Sequence, residues 1–465
     1  FKQKTAYEIM PSLVGSEMCI RDSIYRLYEY QMLTNQINQI VSPIVILADD
    51  LTGALDSSCT FPTKGYRTIV HCDLSGNIET FKRDIETNGS QVSVLNTETR
   101  HSTKKKIESI YKHVFLKYQW LFENSLLFKK VDSTARGNIG FEISVILNKM
   151  DIPYAFVCLP YPELKRIQTM GIIKAEGYPI DHTKNNTALP LDIKYQTEKL
   201  LEIQSGLTTE LITQKHISKG EKHLLSRLNS IIESGAKIIC FDSSTRQDLN
   251  QIYNTVRKYF PEGLLVGSAG LAKSISEYTK KIPSNHREFD IQQKSFALMS
   301  LSSHKTTKTH FSKLSNSKQI SKTSINTNAL LSDSSFGQEY NRITAFIEDA
   351  ISSKQNIAIN QYTESSIATK HKSFTSKRLH LFLSRVSAKL ISSGFYKTFI
   401  LIGGDTAQTV LQSASIQKID VIEEILPGTV ISLPFDKNHN QFNIITKSGG
   451  FGDENQICKL ISKLL

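Results

Sequence analysis

The sequence predicts an α/β fold in two domains, each a mostly parallel sheet flanked by helices. Three observations carry that expectation. From Pro43 onward, short apolar runs alternate with longer amphipathic stretches, the pattern of strands separated by crossover helices. The notable polar residues cluster directly after the apolar runs, where ligands collect in such sheets. A composition break after Leu271 then separates two such patterns: Pro283-Ser284-Asn285 reads as a linker, and Ser, Thr, Lys and Asn dominate from Ser300 to Asn328. The expected domains are therefore 41–282 and 283–465.

Residues 1–40 stand outside the pattern. Phe1 to Ser23, FKQKTAYEIMPSLVGSEMCIRDS, has neither an amphipathic period nor a signal-peptide layout. It resembles a translated sequencing adapter and is read as foreign to the fold. The whole segment is expected to be a non-native or disordered extension, adapter-derived to about residue 23.

The first domain offers strands at Ile44–Leu47, Thr68–His71, Val92–Asn96, Leu126–Lys130, Tyr154–Leu159, Lys237–Phe241 and Gly263–Val266. Helical patterns fill Thr103–Leu116 and Ile139–Lys149, the latter with Glu142 in its first turn, where an acid complements the helix dipole. In the second domain, Ile357–Ile359, Thr398–Ile402, Val430–Leu433 and Phe442–Thr446 read as strands. Leu379–Ser392 reads as a helix with Gly394 just beyond its end.

The strand at Ile44 delivers Asp49 and Asp50, followed by Thr52 and Gly53. One carboxylate there could take a proton from a hydroxyl or hold a cation; equally, an Asp could cap the next helix. Lys130-Val-Asp-Ser-Thr-Ala-Arg-Gly-Asn138 brings two cations, a carboxylate, two hydroxyls and an amide to one strand end. Arg136 could grip a carboxylate through two parallel bonds. Asn96-Thr-Glu-Thr-Arg100 is a similar cluster. Gly267-Ser-Ala-Gly-Leu-Ala-Lys-Ser274 lacks Walker A spacing, but it suits a strand-to-helix phosphate turn with Ser268 as donor. Ile400-Leu-Ile-Gly-Gly-Asp-Thr-Ala407 and Thr446-Lys-Ser-Gly-Gly-Phe-Gly-Asp453 end strands in glycines. The first leads into a helix, whose free N–H groups and dipole suit phosphate.

Composition excludes other classes. No apolar run approaches the roughly 20 residues that span a bilayer. The formal charge is +12, and Lys294 to Ser332 holds six lysines and no acid. Only Phe296 and Phe311 fall among them, with no Tyr or Trp to build a nucleic-acid stacking surface, so a solvated face is preferred and no nucleic-acid partner is expected. The six cysteines show no C-x-x-C pair, which points to a reducing cytoplasm and to no zinc site. No G-x-G-x-x-G, G-x-S-x-G or H-E-x-x-H motif occurs.

In this order, the segments Ala48–Ala54, Asn96–Arg100, Lys130–Asn138, Gly267–Leu271, Gly403–Ala407 and Lys447–Gly452 resemble the four-carbon acid sugar kinase family. The likeness runs from about Ile44 to Leu465. It implies an N-terminal sugar-acid domain, a C-terminal nucleotide domain, and ATP with Mg2+ as cofactors. The substrate would be a threonate-, erythronate- or oxo-tetronate-type acid, and a homo-oligomer is compatible with this. Carried over, Asp49, Asp50, Thr52, Arg100, Lys130, Asp132, Ser133, Arg136 and Asn138 line the acid pocket. Asp50 is the expected base and Asp132 the runner-up. Ser268, Gly403, Gly404, Asp405, Thr406, Gly449 and Gly450 contact ATP, and no protein metal ligand is expected. Leu301 stands where the family has glycine and is expected to obstruct phosphate. An inactive relative that binds acid or nucleotide is the alternative.

Overall fold

The computed structural model describes residues 43–464 except 77, 80–81, 84–90, 124, 185–188, 284–294, 303, 315–318, 363–371, 436–441 and 451. The expected extension and most of the expected linker lie outside the described residues.

The N-terminal half lays down β1 (Ile44–Ala48), β2 (Thr68–His71), β3 (Val92–Asn96), β4 (Leu126–Lys130) and β5 (Ala155–Cys158). A small meander follows, β6 (Arg166–Thr169), β7 (Ile172–Ala175) and β8 (Tyr178–Pro179), then β9 (Thr209–Ile212), β10 (Ile238–Phe241) and β11 (Leu264–Gly267). The C-terminal half supplies β12 (Phe296–Ser300), β13 (Ile320–Asn326), β14 (Asn356–Tyr362), β15 (Thr398–Ile402), β16 (Lys418–Leu426), β17 (Thr429–Pro434) and β18 (Asn443–Lys447).

Both halves are the expected helix-flanked, mostly parallel sheets, but they are not separate sheets. One 15-stranded sheet runs β13-β14-β12-β15-β18-β17-β16-β2-β3-β1-β4-β11-β5-β10-β9. Eight strands from β2 to β9 pair in parallel. The halves join where β16 pairs antiparallel with β2, Val421 opposite Thr68 and Lys418 opposite His71. Arg67 seals the seam by donating to Asp420, 3.2 Å away.

Strand residues alternate between faces. Ile44, Ile46 and Ala48 join an apolar layer that continues through Ala297, Met299, Phe399 and Leu401 in the other half. Val45 and Leu47 face a second core confined to the N-terminal half. Ile400 and Ile402 face a third, confined to the C-terminal half. One face of the sheet therefore shares a single core and the other is divided.

The junction also sets where the site forms. Antiparallel pairing at β2 and β16 reverses strand direction between the halves. Six neighbour steps separate β15 from β1, and a twist of about 20–25° at each turns the second set well past a right angle. The carboxyl ends of β1, β3 and β4 thus face those of β12, β15 and β18.

Within the Ser-, Thr-, Lys- and Asn-rich stretch from Ser300 to Asn328 lie a helix at Lys305–Lys313 and the edge strand β13. Only Ile320 and Ile325 of β13 are fully buried, because an edge strand has one neighbour and less core to face.

Candidate active site

β1 ends at Asp49 and Asp50, and their side chains part company. Asp49 is buried and accepts two bonds from Arg100, from Nε at 3.0 Å and Nη2 at 2.7 Å. Burial opposes its ionisation, but Arg100, Lys129 and Lys130 outweigh that and hold its carboxyl below the usual range. Asp50 accepts from Gly53 N at 2.8 Å, which caps the helix Leu51–Ser58, and from Thr52 Oγ1 at 2.8 Å and Arg100 Nη1. Asp50 therefore caps the helix, as one reading of the sequence had it, and also lines a cleft.

Arg100 and Arg136 were the two arginines expected to line the acid pocket, and Arg100 does line the cleft. The Arg100 guanidinium is buried and pairs with Asp49 and Asp50. Beneath it lies a buried network. Glu142 Oε2 takes bonds from Thr99 Oγ1 and Tyr111 Oη, each at 2.8 Å, and an ion pair from Lys129 at 2.8 Å. Lys130 is also buried and donates to Val131 O at 2.9 Å. Gly53 makes this crowding feasible: a Cβ there would lie 2.7 Å from Lys130 Nζ and 2.5 Å from Asp50 Oδ1.

Asp132 accepts from Thr134 N at 3.0 Å, Thr134 Oγ1, Arg136 N at 3.3 Å, Arg136 Nε at 3.0 Å and Arg136 Nη2 at 2.7 Å. Burial opposes its charge, but the Arg136 bonds prevail and hold its carboxyl well below the ordinary value. A carboxylate so stabilised is a weak proton acceptor; its bonds organise the loop. Arg136 keeps 45% of its side chain exposed and lines the cleft. Ser133 accepts from Arg166 Nη1. Asn138 donates to the backbone O of cleft-lining Ser102 at 3.0 Å.

The opposite wall is built from glycine turns. Gly403 adopts φ +100° and ψ 143° and caps the helix Gly404–Ser413, a conformation nearly exclusive to glycine. Thr406 Oγ1 donates to Ile402 O and accepts from Leu301 N, both at 2.9 Å. That bond takes the backbone donor at Leu301, whose side chain packs against the shared apolar layer. Asp405, Gly449 and Gly450 line the cleft beside Ser302 and His304. Lys447 is buried and donates to Ser448 O at 3.0 Å, and burial pulls its pKa down to about 8.

The cleft between the walls has a volume of about 900 Å³ and takes lining residues from both halves. A Cβ on Gly404 would lie 3.6 Å from Asp50 Oδ2, so the acid and the glycine turn share one space. An inner pocket of about 30 Å³ opens beneath the acid wall. Ser268, grouped by sequence with the phosphate turns, lies there instead, capping the helix Ala269–Glu277 and donating to Pro160 O at 2.8 Å.

Sequence reasoning passed over Glu98, Arg166, His304, Lys447 and Asp56. Glu98 lines the cleft with φ 51°. Burial, with Asp50 and Asp405 nearby, pushes its carboxyl up to about 7 against the bond from Asn96. A signal existed for Asp56: it stands four residues after Thr52, on the same face of its helix.

Two family descriptions match the chain, a sugar-binding N-terminal domain at 44–275 and a nucleotide-binding C-terminal domain at 298–457. The D-erythronate kinase of Heliobacterium modesticaldum is 23% identical over 442 residues, covering 91% of this chain and 98% of its own. The D-threonate kinase of Salmonella typhimurium is 23% identical, covering 89% and 96%. The 3-oxo-tetronate kinase of Pseudomonas savastanoi is 21% identical, covering 90% and 96%. Among solved structures, a Salmonella typhimurium protein provisionally named a tRNA synthase superposes with a TM-score of 0.71 at 18% identity, covering 90% and 98%. A Haemophilus influenzae protein superposes at 0.63 with 19% identity, covering 91% and 100%. These two likenesses show the fold alone. Both domain descriptions in register, together with near end-to-end likeness to three kinases of four-carbon acids, place this chain in the four-carbon acid sugar kinase family.

Proposed function

We propose that the chain is an ATP-dependent kinase of a threonate-, erythronate- or oxo-tetronate-type acid, working in the cleft between its halves. The observation that carries this reading is Asp50 facing the helix start at Gly404 across one cleft. Asp50 takes the proton of the acid's hydroxyl as that oxygen bonds to the γ-phosphorus and the bond to ADP breaks. Gly403–Thr406 and Gly449–Gly450 cradle the phosphates through backbone donors and the helix dipole. Arg136, half exposed and cleft-lining, is better placed than the committed Arg100 to meet the acid's carboxylate.

Magnesium, when bound with the nucleotide, would neutralise charge on the transferred phosphate. Among the described residues no group of three or more His, Cys, Asp or Glu could hold a metal ion. Asp50 and Asp405, which line the cleft, are the carboxylates that could meet the ion. No helix among the described residues is long and apolar enough to cross a membrane. The described cysteines are unpaired, which fits the reducing cytoplasm proposed here.

The test is ADP release from Mg-ATP with a panel of threonate, erythronate and oxo-tetronates. Asp50→Asn should lower turnover about 10²–10⁴-fold with the fold intact; near-full turnover would remove Asp50 as the base. The committed N–H of Leu301 favours one other reading, an inactive relative, which predicts acid binding without ADP release.

A further inference from the structure

Asp56 sits on the helix Leu51–Ser58 with its side chain at the inner pocket. The residue is 8% exposed, and its Oδ1 has no hydrogen-bond partner. Buried acceptors are almost always paired, and leaving one unpaired is costly. The surroundings do not explain this one as a fold-stabilising group. Lys130 and Ser133 share the pocket, yet Lys130 directs a bond to Val131 O, and Ser133 Oγ is engaged as an acceptor by Arg166.

We propose that Asp56 is a specificity-determining residue that accepts a hydrogen bond from a hydroxyl of the bound polyhydroxy acid, with the inner pocket as the seat of that hydroxyl. The proposal rests on the kinase reading above only for the class of ligand.

Three features select a hydroxyl. The pocket's volume of about 30 Å³ has room for about one or two water-sized groups, so it takes a hydroxyl or hydroxymethyl and not a four-carbon chain. Asp56 presents an acceptor, which a carboxylate cannot satisfy and a hydroxyl can. The hydroxyl oxygen in turn meets donors: Lys130 has three N–H groups, and Ser133, which accepts from Arg166, retains its own proton to give. The inner pocket shares Asp50, Thr52 and Arg136 with the main cleft. A ligand seated there therefore extends toward Asp50 with the rest of its chain in the open cleft.

A site built to pair a hydroxyl rejects the analogue lacking it far more strongly than an apolar pocket rejects a missing methylene. The experiment compares wild type with Asp56→Ala and Asp56→Asn. It uses Mg-ATP and, in parallel, threonate, erythronate and their 2-deoxy and 3-deoxy counterparts. Wild type should prefer the hydroxylated acid in kcat/KM by about 10²-fold or more over one deoxy analogue. In Asp56→Ala that ratio should collapse toward unity, chiefly through a raised KM for the hydroxylated acid, with KM for ATP unchanged. A loss of folding would lower both substrates alike and leave the ratio in place.

Calorimetric binding of the same acids, without ATP, reads the contact independently of turnover. If wild type binds a tetronic acid without phosphorylating it, the kinase reading fails, and weaker binding by Asp56→Ala still supports Asp56. Equal affinity in the two proteins, or an unchanged discrimination ratio, overturns the assignment alone. Failure of wild type to bind any polyhydroxy acid overturns both.

Discussion

Asp56 should betray itself in the pH dependence of stability. Burial raises its carboxyl from 3.8 to about 6; Glu424 adds to the rise, while Lys130, Lys273 and Arg166 oppose it. In the unfolded chain the group loses its proton near 3.8, whereas in the fold it keeps it to about 6. Between those values the folded protein binds more protons, so stability falls as pH rises. The contribution is fully present below 3.8 and gone above 6. A gap of that size corresponds to about 3 kcal/mol. Asp56→Asn removes the titration, and any fixed penalty for the amide is the same at every pH. Relative to wild type, the variant should therefore gain about 2–2.5 kcal/mol between pH 4 and pH 7.5. Urea denaturation of both proteins across that range, followed by circular dichroism, measures the difference. Parallel stability curves would refute the reasoning, and would mean that water reaches Asp56 freely.

Other substitutions separate support from chemistry. Glu142→Gln leaves fully buried Lys129 without its counter-charge, and should destabilise by about 3–5 kcal/mol; an unmoved urea midpoint would argue against that pair. Gly403→Ala meets nothing within 3.4 Å, so its effect is the backbone strain at φ +100°, about 1–3 kcal/mol. It should also raise KM for ATP, and an unchanged KM would detach the turn from the nucleotide. Asp132→Asn should keep turnover within about tenfold of wild type if Asp132 organises the loop, against the 10²-fold or greater loss expected at Asp50. A loss at Asp132 equal to that at Asp50 would restore it as a candidate base.

Eleven of the eighteen described strands were readable because apolar runs such as Ile44–Leu47 and Thr398–Ile402 carry the period themselves; β6 to β9, β12 and β13 were not. Nor was the seam. β16 reads Lys-Ile-Asp-Val-Ile-Glu-Glu-Ile-Leu, and its acids obscure a strand that faces a distant partner. The same distinction runs through the site. Asp50 and the glycine turns could be found because strand-end position and residue type already define what they offer. Arg100 and Arg136 could not be ranked, since their roles depend on which carboxylate each one meets. Ser268 was grouped with the glycine turns because a strand-to-helix turn looks the same in either half, whereas it stands in the inner pocket. Asp56 is an ordinary helical acid until its environment is known.

The seam also imposes a schedule on synthesis. Arg67 and Asp420 stand 353 residues apart in sequence. At about 5–20 residues per second, the ribosome needs on the order of 20–70 s to cover that distance. Through that interval β2 has β3 on one side only, and its other edge stays open on the growing chain. Such an edge invites pairing with a neighbouring nascent copy. Slowed translation between residues 72 and 417 should therefore lower soluble yield more than slowed translation after 426, once the seam has been made.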